Sequence, residues 1–421
     1  MQDFNLKKIK KIFFIGIGGI GISALAKMAL SRGMIVSGVN DEESSKTLDP
    51  LIALGVPILF QKDIKNLSQL PTTDLYVYSD AWLHRGPEII KHARESGKPV
   101  MSYFEALGAF AKEYKVIAIS GTHGKTTTTA MVAQILMDAG LDPTVIVGSF
   151  IKKFDSNFRR GNSRYLVVEA DEYNRHFLNF HPFIGVITNI EADHLDYYHD
   201  LEDIKSAFSQ FLSQSENKVL NYAKYLKKVP KLSIPGEHNR MNAAAAMAVA
   251  DILNIKKENA QKSLSEFSGT WRRLEKKEQT REGTVVYDDY AHHPTEIKAS
   301  LQALRELYPK SKKKITVIFQ PHLYSRTKAL FNDFVKSFKE ADEVFLLPIY
   351  FAREDKDETV SSEKLALAIE ANGQKSQAFK DFETAEKAVL AMKLGPKDVF
   401  VTMGAGEAYK VADSVFKFDT K

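Results

Sequence analysis

Short apolar runs alternate with stretches of helical periodicity from one end of this chain to the other. That alternation restricts it to parallel sheets covered by helices, because a parallel return needs a crossover and a helix supplies one. Three blocks of it are visible. The first opens with a strand at 11–15, turns through glycines, continues as a helix at 20–31 and returns as a strand at 34–39. The second holds strands at 115–119, 165–168 and 184–188 and an alanine-rich helix at 242–253. The third carries strands at 285–288, 315–319, 344–347 and 399–402. A length of 421 residues exceeds what one apolar core normally serves. The expected fold class is therefore α/β in three domains, each a mostly parallel sheet flanked by helices: a Rossmann-like N-terminal domain at 1–112, a central P-loop-type domain at 113–269 and a Rossmann-like C-terminal domain at 270–421.

The second block contains the sharpest chemical signal. Ser120-Gly121-Thr122-His123-Gly124-Lys125-Thr126-Thr127 follows a buried strand and precedes a helix expected to begin near Thr127. This is the context that a phosphate loop requires. Glycines let backbone N–H groups curl around phosphate oxygens, the helix start adds partial positive charge, Lys125 reaches the terminal phosphates and Thr126 can hold Mg²⁺. Ile119 stands where the common pattern has its first glycine. Glu169, Asp171 and Glu172 come directly after the next apolar strand, and Thr188-Asn189-Ile190-Glu191-Ala192-Asp193-His194 follows another. Both acid-rich ends belong over the carboxyl edge of the same sheet, where oxygen ligands and an occasional imidazole suit Mg²⁺ at a triphosphate.

Gly16-Ile17-Gly18-Gly19-Ile20-Gly21, with Asp41 beyond it, satisfies a dinucleotide fingerprint. It predicts a pyrophosphate at a helix start without separating NAD(P) from a nucleotide sugar, so an oxidoreductase stays open on this motif alone. In the third block, Asp288-Asp289-Tyr290-Ala291-His292-His293-Pro294 and Gln320-Pro321-His322-Leu323-Tyr324-Ser325-Arg326 each follow a strand, at the ligand-binding edge of an α/β fold. Neighbouring histidines point in different directions, which favours substrate contacts over a dedicated zinc site, and a loop histidine bonded to backbone is an equal reading of His293.

Composition narrows the partners. The excess of 58 Lys and Arg over 53 Asp and Glu suits small anionic substrates, and no like-charge block is long enough for a nucleic-acid arm. With no cysteine, disulfides, thiolate nucleophiles and cysteine-ligated zinc are excluded, and a cytoplasmic location is expected. Lys7, Lys8, Lys10 and Lys11 before the uncharged run at 12–26 imitate a secretion signal. The glycines within that run are spaced for a phosphate turn, and it falls short of the about 20 apolar residues of a membrane span. No membrane insertion is expected.

Taken together, these segments resemble the Mur ligase family. The pieces that carry the likeness are Gly-Ile-Gly-Gly-Ile-Gly at 16, Gly-Thr-His-Gly-Lys-Thr-Thr-Thr at 121, Glu-Ala-Asp-Glu at 169, Thr-Asn-Ile-Glu-Ala-Asp-His at 188, His-Asn-Arg-Met-Asn at 238, Asp-Asp-Tyr-Ala-His-His-Pro-Thr-Glu at 288 and Phe-Gln-Pro-His at 319. They span essentially the whole chain in the family's order. The resemblance implies an ATP-dependent ligase of peptidoglycan precursor synthesis that joins UDP-N-acetylmuramic acid to L-alanine through an acyl phosphate, with a related ligase adding a peptide or another amino acid to the same nucleotide sugar as the alternative. It implies a UDP-sugar-binding first domain, an ATP-binding second and an amino-acid-binding third.

By position, the resemblance makes Lys125 the phosphate lysine, Thr126 and Glu169 ligands of one Mg²⁺, and His194 a ligand of a second. It assigns Gly121, Thr122, His123, Gly124, Thr127 and Asn189 to the nucleotide, with His238, Asn239 and Asn242 at adenine, Arg273 at phosphate and Asp289 at ribose. Gly16, Gly18, Gly19, Ile20, Gly21, Asn40 and Ser79 face the nucleotide sugar, and Tyr290, His292, His322 and Arg326 surround the amino acid and the reacting carboxyl. Three positions depart from the family pattern: Asn40 replaces an acid, Phe60-Gln61 a Gly-His, and Leu323 a frequent arginine. The stretch between 212 and 234 is also shorter than in typical relatives.

Overall fold

The computed structural model describes residues 6–194, 197–278, 280–351 and 354–418. The chain forms two compact units, one of Met1–Leu232 with Met241–Phe267 and the other of Ser233–Arg240 with Ser268–Lys421.

The first unit holds two sheets. Strands β1 (Lys11–Ile15), β2 (Ile35–Asn40), β3 (Ile58–Phe60), β4 (Leu75–Tyr78) and β5 (Val100–Ser102) lie in the order β3-β2-β1-β4-β5, every pair parallel. Chain order reverses between β1 and β4, so the turn after β1 and Ser79 after β4 share the crevice where such sheets bind ligands. Strands β6 (Lys115–Ser120), β7 (Thr144–Ile151), β8 (Ser156–Arg159), β9 (Tyr165–Glu169), β10 (Ile184–Ile187) and β11 (Asn217–Val219) lie in the order β11-β10-β6-β9-β7-β8. Only β7 and β8 run antiparallel. The central strands β6, β9 and β10 are buried on both faces, which explains their near-continuous apolar sequence.

The helix after β6 runs Lys125–Asp138, beginning before Thr127 with Gly124 as its N-cap. Its four consecutive threonines are poor helix formers, but all are buried, and packing against the sheet overrides propensity. The alanine-rich helix is also longer than its alanines suggest, Glu237–Ile252. Apolar packing in this unit is continuous from Leu25 and Met28 through Leu107 and Phe110 to Phe177, Phe208 and Phe211. A polar clasp joins the two sheets' elements: Lys27 Nζ donates to Asn157 Oδ1 at 2.9 Å, while Asn157 Nδ2 donates to the carbonyl of Ile20 at 2.6 Å.

The second unit has one sheet, ordered β12-β13-β17-β14-β15-β16. Its strands are β12 (Glu275–Lys276), β13 (Val285–Asp289), β14 (Lys314–Phe319), β15 (Glu343–Leu346), β16 (Ser376–Ala378) and β17 (Asp398–Met403). All pairs are parallel except β12 with β13. Apolar clusters cover both faces, one around Leu301, Phe319, Phe334 and Phe338, the other around Ile318, Phe345, Phe379 and Phe400. The carboxyl ends of β13, β17 and β14 are thus adjacent.

Candidate active site

In the first unit the loop after β6 is held by its neighbour after β10. Thr122 N–H donates to the Asn189 carbonyl at 3.1 Å, His123 N–H to Asn189 Oδ1 at 2.9 Å, and Asn189 Nδ2 returns a bond to the His123 carbonyl at 3.0 Å. Thr188 Oγ1 donates to the same carbonyl at 2.6 Å. The glycines are demanded by geometry. Gly121 has φ +130° and a Cβ there would lie 2.0 Å from Thr188 Oγ1; Gly124 has φ +81° and a Cβ would lie 2.3 Å from Asn242 Oδ1. Thr127, in the first helical turn, is buried.

Lys125 does not stand alone. Its Nζ donates to Glu172 Oε1 and Oε2 at 2.9 and 2.8 Å and to the Gly121 carbonyl at 2.6 Å. Burial disfavours the ammonium, but the charges of Glu172 and Asp171 outweigh it and raise the lysine above its ordinary pKa. Glu172, with 3% exposure, is the partner that the sequence left as one acid among three. Glu169 takes a different role: its Oε2 accepts from Thr126 Oγ1 at 3.1 Å and its Oε1 from Gly148 N–H of β7 at 2.6 Å.

Two donor sets fit a magnesium ion. The Thr126 hydroxyl and the Glu169 carboxylate meet as hard oxygen donors. Ligand atoms of Asp171, Glu172 and His194 all lie within 4.8 Å of one another. His194 has a left-handed φ of 56°, and its buried Nδ1 has no hydrogen-bond partner among the described residues, a site that a ligand would satisfy. Burial opposes the His194 imidazolium, while the hydrogen bond to Glu172 and the Asp193 charge prevail and raise its pKa. Asp171 is likewise disfavoured as an anion by burial, yet its hydrogen bond from His176 and the Lys125 charge carry it below the usual carboxylate range.

At the other sheet of this unit, Gly16 has φ +81°, and a Cβ there would meet Trp82 at 2.4 Å. Gly18 N–H donates to Asn40 Oδ1 at 3.0 Å, and Asn40 Nδ2 donates to the Glu42 carbonyl at 3.0 Å. Asn40 therefore shapes the turn with both ends of its amide. Gly19 caps the helix that Ile20 begins, and Gly21, already helical, gives room to Tyr103, 2.8 Å from a Cβ placed there. Ser79 N–H donates to the Ile15 carbonyl at 3.0 Å. Asp41 pairs with Arg85 at 2.7 Å. Gln61 Nε2 donates to the Arg85 carbonyl at 2.9 Å, so the substituted glutamine braces the same corner.

The second unit gathers the third-block residues at the ends of β13 and β14. Asp289 accepts from Leu274 N–H at 3.1 Å and from Ser300 Oγ; burial pushes its carboxyl up to about 6 against these bonds. His292 Nδ1 donates to the Tyr290 carbonyl at 3.0 Å, and its ring meets that of His322 at 5.8 Å. His322 stacks on Tyr350 at 5.6 Å and accepts from Arg326 Nη1 at 3.3 Å, which makes Nδ1 its unprotonated nitrogen. Arg326 is buried, and Leu323 is held at φ 70° by its N–H bond to the Tyr350 carbonyl at 2.9 Å. His293 caps the helix Pro294–Leu307 through Nδ1. His238, pressed under Gly236, is lowered to about 4 by burial, and Asn239 Nδ2 donates to the Pro235 carbonyl at 2.6 Å.

Of the two adjacent arginines, Arg273 lies over the Tyr290 ring at 4.7 Å, while Arg272 turns inward. The Arg272 guanidinium binds Asp288 Oδ2 at 3.0 Å and the carbonyls of Gly406 and Gly404 at 2.9 and 2.6 Å, tying the loop after β17 to β13. Nothing in the sequence distinguishes the two; the left-handed φ of 54° at Arg272 does.

Three family models match in series: "Mur ligase family, catalytic domain" over 11–115, "Mur ligase middle domain" over 119–232 and "Mur ligase, glutamate ligase domain" over 272–406. The chain is 40% identical to the UDP-N-acetylmuramate–L-alanine ligase of Clostridium kluyveri, covering 98% of this chain and 99% of that one. It is 39% identical to the enzyme of the same name from Clostridium acetobutylicum, with coverage of 98% and 99%. Among solved structures, the UDP-N-acetylmuramate-alanine ligase of Thermotoga maritima superposes with a TM-score of 0.80 at 29% identity, covering 96% of this chain and 98% of that one. A murein peptide ligase from Psychrobacter arcticus shares the fold at a TM-score of 0.69 and 23% identity, with coverage of 96% and 98%.

Proposed function

This chain belongs to the Mur ligase family, and from that premise we propose that it forms an amide between the carboxylate of UDP-N-acetylmuramic acid and the amine of L-alanine at the expense of ATP. The carboxylate oxygen attacks the γ-phosphorus, ADP leaves, and the acyl phosphate is opened by the amine through a tetrahedral intermediate that expels phosphate. The observation that carries this reading is the meeting, at the adjacent carboxyl ends of β9, β6 and β10, of a glycine-bearing phosphate loop, its lysine and two sets of candidate metal ligands, one all oxygen and one with an imidazole.

Phosphoryl transfer needs positioning and charge neutralisation more than a covalent group. Lys125, fixed by Glu172, supplies a cation at the loop, which Asn189 holds through the Thr122 and His123 N–H groups. Thr126 with Glu169, and His194 with Asp171 and Glu172, are the residues that would hold magnesium, whose chemistry is to neutralise phosphate charge. Residues 1–112 bind the nucleotide sugar, with Ser79 and the glycine turn at the crevice between β1 and β4. Residues 113–269 bind ATP and 270–421 the amino acid, where the buried guanidinium of Arg326 is suited to a carboxylate and His322 and His292 orient the reacting groups. Among the described residues no helix is long and apolar enough to cross a membrane.

Phosphate release from ATP tests this, measured with UDP-N-acetylmuramic acid and a panel of L-alanine, glycine, L-serine and short peptides. Release that needs the nucleotide sugar and is fastest with L-alanine supports the proposal. Preference for a peptide would move the chain to another member activity, and reduction of NAD(P) with no phosphate release would replace the ligase reading.

A further inference from the structure

The segment that follows the acid cluster contains a histidine for which the ligase chemistry just described has no use. His176 has 7% exposure and lies flat on Phe104, with ring centroids 3.9 Å apart and planes at 14°. Both ring nitrogens face carboxylates from different sheets: Nε2 is 3.1 Å from Asp80 Oδ2, and Nδ1 is 3.5 Å from Asp171 Oδ2. Asp80 directly follows Ser79 at the end of β4, in the crevice assigned to the nucleotide sugar. Asp171 belongs to the cluster with Glu172 and His194 beside the phosphate loop. The chain reaches this arrangement through two consecutive left-handed residues that are not glycine, Asn174 at φ 51° and Arg175 at φ 55°. Such strain persists where the surroundings over-determine it, and here the Arg175–Asp203 ion pair and the Asn179 bond to the His176 carbonyl at 2.9 Å do so.

Burial and stacking alone would be met by a phenylalanine. A rigid ring with an acid at each nitrogen does something more, because both contacts are made together only at one spacing between the two strand ends. We propose that His176 is a positioning residue: a strut that fixes the Ser79–Asp80 corner against the acid cluster, so that the carboxylate of the nucleotide sugar and the γ-phosphate are aligned for transfer. The inference rests on the ligase reading. Misalignment of reacting atoms by a fraction of an ångström lowers the chemical step without lowering either substrate's affinity.

Three variants of the full chain test it: His176→Phe keeps volume and stacking, His176→Gln keeps a donor, and Asp80→Asn weakens the far contact. In His176→Phe, kcat for phosphate release with all three substrates should fall about tenfold or more, while affinities for ATP and UDP-N-acetylmuramic acid, each measured alone by calorimetry, stay within about twofold. His176→Gln should recover part of the loss. Combining Asp80→Asn with His176→Phe should cost no more than His176→Phe alone, since one strut is removed once. A folded His176→Phe with kcat within about twofold of wild type overturns the inference, as does a loss that falls equally on ATP affinity. Wild type that releases no phosphate with these substrates overturns the ligase reading and this inference with it, whereas an active wild type beside an indifferent His176→Phe overturns the inference alone.

Discussion

Glu172 and two loop carbonyls hold the Lys125 ammonium in one position at the phosphate loop. No other lysine or arginine of the loop segment 120–127 is available to neutralise the γ-phosphoryl group. Lys125→Ala should therefore lower phosphate release by about a hundredfold or more while circular dichroism and the unfolding midpoint show a folded protein. Near-normal release by a folded variant would remove the lysine from the mechanism. A second residue-scale outcome concerns Asp289, whose burial raises its carboxyl from the ordinary 3.8 to about 6. The native carboxyl holds its proton more tightly than the unfolded one, so its contribution to stability is full below the unfolded pKa and is lost as pH rises through about 6. Asp289→Asn keeps Oδ1 to accept from Leu274 N–H and presents Nδ2 to Ser300 Oγ, whose hydroxyl can turn to accept, but it cannot titrate. The difference in unfolding free energy between wild type and variant should move against wild type between pH about 4 and about 6, by an upper bound of about 3 kcal/mol, and stay flat above. Denaturant titrations at pH 4, 5, 6 and 7 read it, and a flat difference throughout would mean that Asp289 has an ordinary pKa.

At the scale of elements, each motif works because a strand delivers it to a sheet edge and a neighbouring loop holds it there. The glycine turn after β1 is the exposed case. A Cβ at Gly18 would stand 2.8 Å from both terminal atoms of the Asn40 amide, the same amide that accepts from Gly18 N–H. Gly18→Ala should thus weaken UDP-N-acetylmuramic acid binding several-fold and leave ATP affinity unchanged, and shortening the opposing side chain with Asn40→Ala should not add a second full loss. Calorimetry with each nucleotide separates this from misfolding, which would depress both. The long apolar strands at the sheet centres were legible in the sequence, because strands buried on both faces must be apolar throughout. Short edge strands such as β3, β12 and β16 were not, having two or three residues and no pattern of their own. The hairpin of β7 and β8 also escaped, since Gly148 interrupts its apolar run; that glycine proves to bond Glu169. Helix starts were misjudged where threonine or polar residues open a helix that burial then stabilises, as at Lys125 and Glu237.

For the whole molecule, the chain passes between its two compact units three times, after Leu232, after Arg240 and after Phe267. A fragment of residues 1–267 contains every residue of the first unit and should unfold cooperatively and still bind ATP, more weakly than the full chain because Arg273 and Asp289, assigned to its phosphate and ribose, are absent. Residues 268–421 alone lack 233–240, which carries His238 and packs Gly236 against Ala303, and should be the less stable fragment. Thermal unfolding and nucleotide binding of both fragments check this, and a first fragment that fails to fold or to bind would show that the units depend on each other. The sequence by itself determined what is local in the chain: the α/β alternation, the phosphate loop, the glycine turn and the acid-bearing strand ends, because each is a consequence of residues adjacent along one strand, turn and helix. It could not choose partners. That Lys125 binds Glu172 at a separation of 47 residues, that Arg272 rather than Arg273 turns inward to Asp288, and that His176 sits between Asp80 and Asp171 were decided only by the tertiary structure. The reason is physical: an ion pair or hydrogen bond acts over about 3 Å of space, and spacing along the chain does not encode which strand ends the sheet order sets side by side.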